Sequence, residues 1–226
     1  MELSRATHAL STPAARGSEV STRSFVRLSG LVLVIGAVIS SVCQVIGGFY
    51  SAPTSSQNQP LNLIAEFALA GATILVLIGL PGVYASRAKG FGITGLVGIA
   101  LVFAAAAMGD FFGNLYAAMV DPWLATQAPN LAGGFGPPPF FAYFNVAEVL
   151  LVAGSTLLAI PVLRRRVSPR WTGFALIVSV VVGVSTFFFD AFPSSLASGL
   201  LVAVAPIILL AALAGLGYQA WSEEAA

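Results

Sequence analysis

Charged side chains are scarce in this sequence: Asp, Glu, Lys and Arg make up 8% of 226 residues, against 58% hydrophobic residues and a mean hydropathy of +0.92. A soluble domain carries about 25% charged residues, so this chain lacks the polar side chains to clothe a water-facing globule. Disorder is excluded by the same figures, because disordered chains are poor in apolar residues. A net charge of +1 argues against a nucleic-acid partner, which requires a basic face. The sequence reads as an integral membrane protein whose first partner is the lipid bilayer.

Other scarcities remove reaction classes. There is one His (His8), one Lys (Lys89) and one Cys (Cys43). Bis-histidine haem, a His-based zinc site, a Ser-His-Asp triad and a CxxC redox centre all lack their parts. Lys89 sits beside Arg87 between apolar segments, a poor place for a retinal Schiff base. Cys43 reads as a small buried apolar residue. No cofactor and no metal site is expected. The remaining chemistry belongs to carboxylates, amides and hydroxyls.

What is abundant is long apolar sequence. A bilayer core of ~30 Å needs about 20 apolar residues in a helix, and six runs qualify: 28–50, 61–85, 91–119, 140–162, 171–192 and 196–218. The expected fold is an all-α, polytopic bundle of six transmembrane helices occupying 25–221. A Ser-, Thr-, Ala- and Arg-rich tail (1–24) precedes it, and a short C-terminal tail (222–226) follows. The first run exceeds the ~7–15 residues of a signal-peptide core and lacks an Ala-x-Ala exit, so it reads as a membrane helix.

All ten basic residues fall in three places: Arg5, Arg16, Arg23 and Arg27; then Arg87 and Lys89; then Arg164, Arg165, Arg166 and Arg170. With six spans these places share one side, and the positive-inside rule makes it the cytoplasm. Both termini are therefore expected to be cytoplasmic, in a multi-pass protein of the cytoplasmic membrane. The connections 51–60, 120–139 and 193–195 contain no Lys or Arg. The long one, with Asp121-Pro122-Trp123 and Gly136-Pro137-Pro138-Pro139, reads as a non-helical connector anchored by aromatic residues; the alternative is a lid over a pocket. Gly92, Gly95 and Gly98 followed by Ala104–Ala107 suggest that the third span lies at the bundle centre, where small residues let backbones approach. Pro206 is expected to kink the sixth span.

Spans two and three can be laid over spans four and five. Glu66 precedes Ala70-Gly71-Ala72-Thr73 as Glu148 precedes Ala153-Gly154-Ser155-Thr156, and each helix is expected to end at a Pro, Pro81 or Pro161. The separation from Glu66 to Asp110 is 44 positions, and from Glu148 to Asp190 it is 42. Both copies would start and return on the same side, which makes a parallel internal repeat.

Glu66, Asp110, Glu148 and Asp190 lie roughly 3–14 Å inside the outer ends of their spans at 1.5 Å per residue, and no acid lies in a cytoplasmic half. Asn114 and Asn145 stand at similar depth, as do Phe67, Phe111 and Phe144. Glu66 and Glu148 fall in the first turns of their helices, where the dipole accommodates a carboxylate. Asp110 and Asp190 stand toward C-termini, where it does not. Asp190 is close enough to Pro193 to reach the interface, whereas the span continues apolar beyond Asp110, which makes Asp110 the hardest to explain structurally. No base can pair with these acids, so water, protons, hydrogen-bond donors or a bound cation must neutralise them.

Gly79-Leu80-Pro81-Gly82-Val83-Tyr84-Ala85 and Ser168-Pro169-Arg170-Trp171 resemble the span-closing and span-opening segments of a large group of uncharacterised six-helix bacterial membrane proteins. The resemblance covers the spans without the tail, and implies a bacterial cytoplasmic membrane and no particular activity. The residues themselves point to an outward-facing acidic and aromatic pocket. It would bind or transport a cation, a proton or an amine-bearing small molecule, with Asp110 and Asp190 carrying the charge, Glu66 and Glu148 flanking them, and Asn114 and Asn145 orienting them. The alternatives are an accessory or scaffolding subunit with a membrane-protein partner or a second copy, and a lipid-modifying enzyme.

Overall fold

The computed structural model describes residues 14–50, 60–128, 138–165, 167–188 and 196–223, and among these every regular element is a helix. The elements are α1 (Ala14–Tyr50), α2 (Pro60–Ser86), α3 (Ala88–Ala105), a π-helical segment (Ala106–Phe112), α4 (Gly113–Gln127), α5 (Pro138–Arg165), α6 (Arg170–Phe188) and α7 (Leu196–Glu223). Among the described residues, five stretches are long and apolar enough to cross a membrane: Ser24–Gly48, Pro60–Ser86, Ala88–Gln127, Ala142–Arg165 and Val202–Ser222. A shorter apolar helix covers Arg170–Ser185. Large apolar side chains such as Ile35, Ile64, Ile93, Val149, Val181 and Val202 face outward, a surface that suits lipid. The protein is membrane-embedded.

Several boundaries differ from the sequence expectation. Helix α1 begins at Ala14, inside the stretch expected to be a tail. Helices α2 and α5 run past Pro81 and Pro161 to Ser86 and Arg165, and α7 runs through Pro206. Each Pro removes one backbone donor, which membrane helices tolerate where neighbouring groups re-satisfy the freed carbonyl. The third helical rod passes through Pro122 and ends at Gln127, so much of the expected connector is helix; 129–137 lie outside the described residues.

Helix contacts follow chain order. Helix α1 packs on α2 and, closing a ring, on α7; the α3–α4 rod packs on α2 and α5; and α6 packs on α5 and α7. The rod therefore forms part of the ring wall and does not occupy the centre, because small residues mediate several interfaces and not only its own. A Cβ on Gly30 of α1 would lie 2.5 Å from the Gly217 carbonyl oxygen of α7, and one on Gly79 of α2 would lie 2.5 Å from Leu33 Cβ of α1. Gly92 serves the backbone instead. At φ +59° it turns the chain at the start of α3, in a region L side chains avoid.

The Glu, Ala-Gly and Pro landmarks of the two proposed copies are packed differently. Helix α5 packs extensively on α3, whereas the corresponding pair α6 and α2 is at most in marginal contact. Gly154 is tightly enclosed, while nothing lies within 4 Å of a Cβ built on Gly71.

The ends of the bundle also differ. Arg27 lies over the Trp221 ring at 5.8 Å, Arg87 donates a 2.9 Å hydrogen bond to Gln219, and Arg165 donates to the Gly90 carbonyl at 3.4 Å. These contacts gather the basic stretches at one end. Between that end and mid-span lies a continuous core containing Leu33, Leu80, Phe91, Leu158, Leu176 and Leu213, each at most 2% exposed. The acids on the described helices between Glu66 and Glu148 lie toward the other end.

Candidate functional site

The π-helical segment sets the geometry at the acidic end. Its wider turn shifts the register of the rod, a device that recurs at functional sites. Asp110 lies within it, and the Tyr143 hydroxyl of α5 donates a 3.1 Å hydrogen bond to the Met108 carbonyl, supplying a donor to that loosened turn. Small residues then keep α5 close: a Cβ on Gly109 would rest 3.5 Å from Ala147 Cβ, and one on Gly113 would strike the Phe144 ring at 2.9 Å.

Between the rod and α5 is a cavity of about 360 Å³. Asp110, Asn114 and Asp121 line it from the rod, and Asn145 and Glu148 from α5, with Tyr116 and Phe144 contributing rings. Among the described residues, no Lys, Arg or His lines it. Asp110 and Glu148 are within electrostatic range of each other, and Asp121 acts on both Tyr116 and Glu66. The Glu148 carboxylate also reaches toward α6, where its Oε1 lies 3.6 Å from the place of a Cβ on Gly183.

Two polar atoms here are buried without a hydrogen-bond partner: Asn114 Nδ2 and the Tyr116 hydroxyl. Such atoms are costly unless water or a ligand satisfies them. Among the described residues, no three His, Cys, Asp or Glu side chains gather closely enough to hold a metal ion.

Of the six residues expected from sequence, the structure brings Asp110, Asn114, Asn145 and Glu148 to this one cavity. Glu66 is not among its lining residues, though it lies within electrostatic range of Asp121. Asp190 lies outside the described residues. Asp121 and Tyr116 are two polar lining residues outside the expected set, although the sequence places both near the depth of the other acids. Asp110, Asn114, Ala117 and Asp121 follow the i, i+4, i+7, i+11 spacing of one helix face, a signal hidden by reading 120–139 as a loop. No protein-family model, curated protein or solved structure matches this chain.

Proposed function

We propose that this chain is a six-span protein of the cytoplasmic membrane with both termini inside, and that its outward-opening acidic cavity binds a cation. The gathering of the basic stretches at one end supports the orientation through the positive-inside rule. Helix α6, at 19 residues, is ~28 Å long at 1.5 Å per residue and serves as the fifth span. One observation carries the functional reading: Asp110, Asp121 and Glu148 share a cavity that no described basic residue lines. Three carboxylates in such a place attract positive charge. The rings of Tyr116 and Phe144 favour an organic ammonium over a metal ion, since a cation over an aromatic face is stabilised without oxygen ligands. Asn114 and Tyr116 then bond to the ligand or to its accompanying water.

Equilibrium binding of tetramethylammonium to the purified protein tests the reading. Wild type binds, and Asp110→Asn with Glu148→Gln weakens binding by about tenfold or more, the scale of a lost charge-assisted contact. Thermal unfolding of the double variant stays close to wild type. Wild-type protein with no affinity for the probe, or a folded double variant that binds equally well, overturns the proposal.

A further inference from the structure

A second concavity adjoins the acidic one and differs from it in chemistry. It has a volume of about 720 Å³ and is bounded by Phe112, Leu115, Met119 and Phe140, with Tyr116 and Phe144 belonging to both hollows. Phe112 is 56% exposed and Met119 61%, so this groove opens sideways, onto the surface that faces lipid. Its aromatic wall is continuous: Tyr116 and Phe140 have ring centroids 4.6 Å apart, Phe140 and Phe144 6.4 Å, and Tyr143 and Phe144 5.6 Å in an edge arrangement. The Phe144 ring lies against Gly113, at the border between the groove and the carboxylates. Both volumes fall within the ~300–1,000 Å³ of small-molecule sites.

From this juxtaposition we infer that the ligand is an amphipathic ammonium compound, with its charged group among Asp110, Asp121 and Glu148 and its apolar body in the Phe112–Phe140 groove, entering laterally from the membrane. The inference rests on the cation-binding reading and adds the ligand's second half. Charge complementarity decides the head. The apolar groove, which shares the Tyr116 and Phe144 rings with the cavity, decides the tail. A purely aqueous cation would use only the first hollow, and a neutral hydrocarbon only the second. A single-chain amphiphile uses both, and Phe144 and Tyr116 would bracket the junction between its head and chain.

The test is equilibrium binding to the full-length protein in nanodiscs, corrected for partition into empty nanodiscs, with tetramethylammonium, decyltrimethylammonium and neutral decanol as probes. Decyltrimethylammonium is expected to bind about tenfold or more tightly than tetramethylammonium, because burying methylenes adds affinity. Leu115→Trp or, independently, Met119→Trp fills the groove. Either brings the decyl compound down to the affinity of tetramethylammonium and leaves tetramethylammonium itself unchanged. Thermal unfolding selects the folded variant for comparison.

Tetramethylammonium binding with no gain from the chain, or groove variants that lower both probes alike, overturns the inference and leaves the cation reading standing. Failure of both ammonium probes overturns both. Decanol binding as tightly as the decyl cation, with no loss in Asp110→Asn, overturns the inference by making the groove a site for any hydrocarbon. Native mass spectrometry finding a phospholipid held there and not displaced by the decyl probe also overturns it.

Discussion

Gly98 of α3 and Gly154 of α5 stand backbone to backbone: a Cβ on either would lie 3.0 Å from the other's carbonyl oxygen. The same Cβ atoms would come within 2.7 Å of the Leu158 and Val102 backbone nitrogens, respectively. This crossing sets the separation of the two helices that wall the acidic cavity. Gly98→Val is expected to destabilise the protein by about 1–3 kcal/mol through overpacking, measured as a lowered unfolding temperature in detergent. Gly71→Ala is its control: with open space at that position, replacing Gly in a helix should be neutral or stabilise by ~0.5–1 kcal/mol.

Ligand binding should depend on pH with a definite sign. The ionised carboxylates of Asp110, Asp121 and Glu148 hold the cation, and protons compete for the same oxygens. Affinity for tetramethylammonium is therefore full at the higher pH and declines as pH falls. Asp110→Asn with Glu148→Gln flattens that profile as well as lowering it. A wild-type profile that rises toward acid would contradict the assignment of these groups.

Tyr143→Phe removes the hydroxyl that bonds to the Met108 carbonyl. The expected cost is about 1 kcal/mol, visible in thermal unfolding. Hydrogen exchange should rise selectively over the π-helical segment Ala106–Phe112, because its looser turn loses a fixed partner. Uniform exchange change along α3 and α4 would show that the bond has no local role.

Membrane orientation can be read by thiol labelling. Cys43 is buried, so wild type resists a membrane-impermeant maleimide. In a Cys43→Ala background, Lys89→Cys should react only from the cytoplasmic side and Gln127→Cys only from the outer side. The reverse pattern would invert the topology and send the cavity inward.

Much of this molecule is legible in its sequence, for physical reasons that also define the gaps. Long apolar runs locate the helices because lipid leaves the backbone no other way to satisfy its hydrogen bonds. Basic residues mark one end because charge resists transfer across the bilayer. Asp110, Asn114, Asn145 and Glu148 can be picked out because polar side chains at that depth are expensive. The π-helical segment leaves no comparable trace, since Ala106–Phe112 are ordinary membrane-helix residues and only tertiary packing selects the wider turn. Asp121 is obscured by Pro122, which reads as a stop although the helix continues. The glycine run of α3 reads as one packing stripe, yet Gly92 turns the backbone while Gly98 meets α5.

The dense packing of Leu33, Leu80, Phe91, Leu158 and Leu213 has a consequence for permeation. Those side chains form an apolar stopper between the acidic hollow and the basic end. An ion resting at Asp110 would have to cross that layer with no carboxylate or amide to replace its lost hydration. This conformation is a cup and not a pipe. Passage from one end of the bundle to the other would require α1, α2, α3, α5 and α7 to part at the stopper, so any transport by this protein would proceed by alternating closure.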